Sequence, residues 1–186
     1  MKKIKFGLTG MICMGITFLA TSLYANEVQY FLGTVHVAMF HGGSKMLAFE
    51  YQSLVKREIL EESSKIIETV TFPKEPNNPK SDYGTIVTTL IQKEKGSTFT
   101  VSDDLGYFTG EITFEGTPWH WERWTYELTM NDEVKSKVTG NGVISADGLQ
   151  THKKIDSETY QLEMDEDLDT IDEATYLKTL EAWIKK

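Results

Sequence analysis

The chain has 186 residues, 40% of them apolar, with 28 acidic residues against 19 basic ones and a formal net charge of −9. That balance opposes non-specific binding to nucleic acid, which needs clustered Lys and Arg to displace counterions, and it opposes attraction to anionic lipid surfaces. A single cysteine, Cys13, excludes an internal disulfide framework.

Residues 1–25 have the layout of a secretory signal peptide. Lys2, Lys3 and Lys5 form a basic start, an apolar stretch runs from Phe6 to Leu19, and small residues follow at Ala20, Thr21 and Ser22. Ala25 offers a cleavage point before Asn26. The apolar run is shorter than the ~20 residues that span a bilayer. Ile12, directly before Cys13, does not suit a lipoprotein box, which needs a small residue there. The expectation is an exported protein, periplasmic or secreted, with no stable membrane anchor after cleavage. Residues 26–186 then form a single domain. Cleavage removes three lysines, no acid and the only cysteine, which takes the net charge to −12.

Val28, Tyr30, Leu32, Val35, Val37 and Met39 lead to Gly42-Gly43 and fit either a first strand or a short lid helix. From Met46 to Leu60 periodicity does not decide: Leu47, Phe49, Tyr51, Val55 and Ile59 suit a strand, whereas Leu47, Tyr51, Leu54, Val55 and Glu58 suit a helix. Context favours strand for the second half, because Leu54 to Leu60, Glu61-Glu62-Ser63-Ser64 and the Ile/Val/Thr-rich Lys65 to Phe72 form a hairpin pattern. Residues 73–81 hold Pro73, Pro76, Asn77, Asn78 and Pro79 and predict a surface loop.

Beyond this loop, Tyr83 to Gln92, Ser97 to Val101 and Tyr107 to Phe114 predict strands, the last with Phe108, Gly110, Ile112 and Phe114 on one face. Trp119 to Met130 places Trp124, Tyr126, Leu128 and Met130 together. Glu133 to Ile144 follows, with Gly140-Asn141-Gly142 expected as a bulge or bend. Asp147-Gly148 is a hairpin signal before Leu149 to Ile155, and Tyr160, Leu162 and Met164 close the series. The acidic stretch Met164 to Glu173 predicts a solvated loop; as a calcium loop it fails at Thr170 and Tyr176. Helical spacing appears at Tyr176, Leu177, Leu180, Trp183 and Ile184, with Thr170 and Glu173 as a capping box. Leu177, Leu180 and Ile184 are expected to pack on the sheet.

Eight to ten short strands joined by tight turns predict a mainly-β fold, an antiparallel up-and-down β-barrel with a C-terminal α-helix. Over most of residues 46–186 this pattern resembles the lipocalin-like (calycin) proteins, which implies a barrel holding a small apolar or amphipathic ligand. The lipocalin Gly-x-Trp has no counterpart, since Thr34 and Val35 follow Gly33, so no family site carries over.

The segment Pro118-Trp119-His120-Trp121-Glu122-Arg123-Trp124 concentrates three of the four tryptophans. Strict alternation puts Trp119, Trp121 and Arg123 on one face and His120, Glu122, Trp124 and Tyr126 on the other. One reading is an aromatic platform at a barrel mouth, with Arg123 or His120 orienting a polar group. The other is an aromatic cap that packs on the C-terminal helix through Trp183. The candidate ligand-binding residues are Phe108, Ile112, Phe114, His120, Arg123, Trp124 and Tyr126. The first functional reading is a non-enzymatic binding module. The second is an enzyme using His120 and Glu122 for proton transfer, and the third is an interaction protein presenting its acidic surface or an edge strand. His120 and Glu122 are too few for a metal site, and His36, His41 and His152 are scattered. No nucleophile motif of the Gly-x-Ser-x-Gly kind is present, so no catalytic residue or cofactor is assigned.

Overall fold

A computed structural model describes residues 27–73, 84–94, 96–117, 119–133 and 135–185. The expected export signal, residues 74–81 of the proline-rich loop and residues 82–83, with the expected strand start at Tyr83, lie outside the described residues. Ten strands follow one another: β1 (Glu27–His41), β2 (Ser44–Leu60), β3 (Lys65–Phe72), β4 (Gly84–Gln92), β5 (Thr98–Asp103), β6 (Phe108–Thr117), β7 (His120–Met130), β8 (Lys137–Ile144), β9 (Gly148–Asp156) and β10 (Gln161–Thr170). One helix, α1 (Glu173–Ile184), ends the chain. The strands lie in chain order around a closed antiparallel ring, with β1 completing it against β10. This up-and-down barrel fits the calycin-like architecture, with ten strands where lipocalins have eight.

The ambiguous segment from residue 27 to residue 60 is therefore strand on both sides of a two-residue turn. β1 and β2 form one long hairpin through Gly42 and Gly43, whose φ angles of 56° and 78° are the positive values that a two-residue hairpin turn requires. Period-2 alternation then sorts the barrel. On β6 and β7, Ile112, Phe114, Trp124 and Leu128 are buried, while Thr109, Glu111, Thr113, Thr125 and Glu127 face out. Charge outside and apolar residues inside is the reverse of a membrane barrel, whose outer band is apolar. Among the described residues no helix is long and apolar enough to cross a membrane.

Four local expectations are corrected. The acidic stretch up to Thr170 is strand β10, not a loop, because β1 offers a full ladder to it from Phe31↔Thr170 to Phe40↔Gln161. Gly140-Asn141-Gly142 is no bulge: the β7–β8 register runs unbroken from Arg123↔Val143 to Thr129↔Lys137. The bulge lies instead on β7, where Glu115 faces Arg123 but Gly116 faces Trp121, leaving Glu122 as the extra residue. Finally, the N-cap of α1 is Asp172, which accepts from the Thr175 amide at 2.7 Å, and Thr170 belongs to the strand before it.

α1 packs on the outer surface of the β1–β2 hairpin. Tyr176, Leu180 and Trp183 meet Leu54, Tyr30 and Leu32, with the Tyr30 and Tyr176 rings 4.8 Å apart. Leu177 and Ile184 face solvent, half exposed at 55% and 50%, contrary to the expected docking face. Trp183 consequently sits outside the barrel, away from the other three tryptophans.

Candidate ligand chambers inside the barrel

Ten strands enclose more width than side chains fill in an eight-stranded barrel, and the interior of this one is divided. A layer of rings closes it near the β6–β7 hairpin. Phe99 and Phe114 meet edge-on at 5.1 Å, Phe114 and Trp124 lie 5.7 Å apart, Phe114 and Trp121 5.9 Å apart, and Trp119 and Trp121 5.6 Å apart. The bulge at Glu122 makes this layer possible, because it turns both Trp121 and Trp124 inward. It also sends Arg123 outward, opposite Glu115 and Val143, where it lines neither chamber. The inward glycines of the flanking strands give the rings their space. A Cβ on Gly142 would lie 2.2 Å from the Trp124 ring, and one on Gly140 2.4 Å from the Tyr126 ring. Gly110 lets the β7 backbone approach, since a Cβ there would lie 2.4 Å from the Glu127 carbonyl oxygen and 2.8 Å from the Leu128 side chain.

Arg57 lies within this layer, 2% exposed. Its guanidinium stands over Trp124 and Phe114, and Nη1 is 3.2 Å from the Glu68 carboxylate. Burial pushes its pKa down from 12.5 while Glu68 and Glu27 oppose that shift; a guanidinium stays charged in any case. Its Nε and Nη1 still lack a hydrogen bond of good geometry.

On one side of the layer is a central lumen of about 120 Å³. Its lining is mixed: apolar Val55, Val70, Leu90, Val101, Phe108, Ile112, Leu128 and Leu149 are joined by Glu68 on β3, Tyr126 on β7, Thr151 and Lys153 on β9 and Glu166 on β10. Thr151 donates to Glu166 at 2.6 Å. Burial opposes the Lys153 charge, but the combined pull of Tyr126, Glu166, Tyr51 and Glu68 outweighs it and pushes its pKa up to about 12. Burial is also the main cause that raises the Tyr51 and Tyr126 phenols. The lumen at neutral pH therefore holds the Lys153 ammonium and the neutral Tyr126 phenol beside Glu68 and Glu166.

On the other side, at the β6–β7 end, is a chamber of about 250 Å³ lined by Gln29, Arg57, Ile59, Ile66, Trp119 and Trp121, with Glu27, His120, Glu122 and Ser145 among its outer residues. No residue lines both spaces among the described residues. Of the residues singled out from sequence, Phe108, Ile112, Trp124 and Tyr126 come together around the lumen, Phe114 sits in the ring layer, and His120 belongs to the end chamber. His120 and Glu122 line that chamber together, without a hydrogen bond between them among the described residues. No group of three metal-ligating side chains occurs among the described residues either.

Sequence reasoning missed Arg57, Glu68, Lys153 and Glu166. The signal was present: each sits in phase with inward residues, as in Val55-x-Arg57-x-Ile59, Ile66-x-Glu68-x-Val70, Leu149-x-Thr151-x-Lys153 and Glu166-x-Leu168. A charge in phase with a buried face is the informative departure from the pattern.

No protein-family model matches the chain, and neither a curated protein nor a solved structure shows a significant match to it.

Proposed function

We propose that this barrel is an exported, lipocalin-like binding protein that takes a small amphipathic ligand into its central lumen. The observation that carries the reading is the mixed wall: apolar side chains and a polar set of Lys153, Glu166, Thr151 and Tyr126 share one cavity. Such a wall fits a ligand with a polar head and a short apolar body. The lumen of about 120 Å³ lies below the roughly 300–1,000 Å³ typical of sites for drug-sized ligands, so retinoids and haem exceed it. Lys153 supplies the ammonium, for which no carboxylate lies within ion-pair reach among the described residues, and an anionic head answers it. At the end opposite the ring layer Met46, Leu47, Phe49, Leu105 and Tyr107 are exposed, an apolar rim that suits an amphipathic ligand.

The test is a titration of carboxylates with alkyl chains of about four to ten carbons, together with retinol and haem, followed by tryptophan fluorescence. Short amphipaths should quench saturably, Trp124→Phe should remove most of the signal, and Lys153→Met should weaken binding by about tenfold or more. Saturable binding of haem or retinol alone, or no response to any ligand, would overturn the reading. The second reading, acid–base chemistry, draws support from His120 and Glu122 sharing the end chamber; turnover of an ester or glycoside that His120→Ala abolishes would establish it instead.

A further inference from the structure

The ring of strands is closed, yet β2 outruns its neighbour. β3 stops at Phe72, and the last β2–β3 pair is Leu54↔Thr71. Toward the hairpin tip β2 continues to Ser44, paired there with β1 alone among the described residues. Residues 44–53 therefore have one satisfied edge and one open edge, a row of backbone donors and acceptors of the kind that templates strand addition. The segment contains no Pro or Gly, and its Met46, Leu47 and Phe49 are exposed at 63%, 51% and 47%. Lys45 and Glu50 are its only charged side chains and cancel, whereas the whole chain carries −9. Two acidic copies therefore repel each other least along this edge.

We propose that this edge is a homodimer interface, in which the β2 edges of two copies pair antiparallel about a two-fold axis centred on Ala48. Side chains alternate between faces, so a two-fold perpendicular to the sheet must set one residue opposite itself. Three features select Ala48 as that residue. First, it is the smallest side chain of residues 46–50, so nothing bulky meets its own copy on the axis. Second, the centre sets inward Leu47 opposite the partner's Phe49, twice by symmetry, which gives two apolar cross-strand pairs. Third, the charges match. The register slips between Met39↔Leu47 and Phe40↔Lys45, so Met46 is an extra residue and Lys45 joins Ala48 and Glu50 on the outer face. With Ala48 on the axis, the position shared by Met46 and Lys45 stands opposite the partner's Glu50, again twice. Centring on Leu47 would set Lys45 against the partner's Ala48 instead, and centring on Phe49 would set it against the partner's Gln52. A two-fold contact closes on itself, so the open edges are consumed in a dimer and do not propagate a fibre. One strand pair is a small interface, so the dimer is weak, with a Kd on the order of micromolar or above.

Sedimentation equilibrium of the purified protein over about 1–500 µM should show exchange between monomer and dimer and nothing larger. Because the axis repeats each contact, Glu50→Lys and Lys45→Glu should each weaken dimerisation by about tenfold, and the two changes together should restore it. In a Cys13→Ser background, Ala48→Cys should cross-link to a covalent dimer on mild oxidation or with a short bis-maleimide, since the opposed Cα atoms stand about 4.5–5.5 Å apart. Thr125→Cys, on the outward face of β7, should not. Thermal melting of each variant reports folding, and the mild Ala48→Cys change decides the matter if a charge reversal unfolds. Lys153→Met should leave dimerisation unchanged, which keeps this test independent of the lumen ligand. A monomer at every concentration overturns the proposal; slow amide exchange at residues 47–53 in that monomer would mean that the edge is covered within one chain. Growth beyond a dimer, a dimer that the double charge exchange fails to restore, or cross-linking as ready through the Thr125 variant as through the Ala48 variant overturns it as well.

Discussion

The Arg57 guanidinium stands 5.1 Å above the Trp124 ring, so the layer that divides the barrel interior joins a buried cation to an aromatic face. Attraction of the ring quadrupole for the cation is stronger where water is excluded. The carboxylate of Glu68 completes the neutralisation at 3.2 Å.

This arrangement predicts an asymmetry between single and double substitutions. Glu68→Gln leaves a buried cation uncompensated and should cost about 3 kcal/mol, whereas Arg57→Met combined with Glu68→Leu should be close to neutral. Urea unfolding of the two variants measures it. A double variant as unstable as the single one would mean that the pair contributes net stability.

At high pH the lumen should weaken the fold. The Lys153 pKa, pushed up to about 12 from 10.5, means that its ammonium stabilises the native state fully below pH 10.5. That contribution, the attraction of Glu166 and Glu68 while the phenols are neutral, is lost as pH rises from 10.5 through 12. Tyr51 and Tyr126 act in the same direction: burial holds their phenols neutral above the usual 10.0, so unfolding gains from their ionisation as pH passes 10. Stability measured by urea from pH 7 to pH 12 should fall steeply above pH 10. Lys153→Met should make that fall shallower.

Asp103 fastens the β5–β6 turn. Burial works against its charge, but the amides of Phe108, Tyr107 and Leu105 donate to it at 2.9, 3.0 and 3.1 Å and hold its pKa below 3.8. Asp103→Ala should cost about 2 kcal/mol at pH 7. In the native protein the same contribution is present above pH 3.8 and disappears as pH falls through the lowered value. Melting temperatures at pH 7 and pH 3 should therefore differ less in Asp103→Ala than in the wild type.

The helix and the glycines give paired tests. Trp183→Ala, which empties a buried site against Leu54, should cost about 3–5 kcal/mol, while Leu177→Ala on the exposed side should change stability by less than about 0.5 kcal/mol. Equal effects would place the docking face elsewhere. Gly142→Ala forces its Cβ into the Trp124 ring and should cost about 1–3 kcal/mol with a shift in tryptophan emission. Gly43→Ala meets nothing within 4 Å and carries only the strain of its positive φ, so it should leave the emission unchanged.

The barrel was legible in the sequence wherever alternation was clean, as along Phe108 to Phe114 and in the Asp147-Gly148 hairpin. It was illegible where charge overwrote the period. In β10, Glu163, Asp165, Asp167 and Asp169 face out as expected of a strand, but Glu166 faces in, so the segment looked uniformly solvated. The aromatic segment misled for a different reason. A single extra residue, Glu122, reverses the faces of everything before it, and no periodicity count reveals a bulge. Arg123 faces out, and the arginine that stands over the Trp124 ring is Arg57, a residue 66 positions earlier in the chain, brought there by the closing of the barrel.

Closure also orders the events of folding. Because β1 pairs with β10, the first strand to be made waits for the last. Until β10 arrives, the growing sheet carries two open edges, β1 and whichever strand was completed most recently, each a template for pairing with a neighbouring chain. The outward acids of β10 keep that final strand soluble while it remains unpaired, and they remain on the surface once the ring shuts. A chain that loses β10 retains nine strands and two permanent edges, β1 and β9, and its failure should be aggregation before it is loss of any ligand.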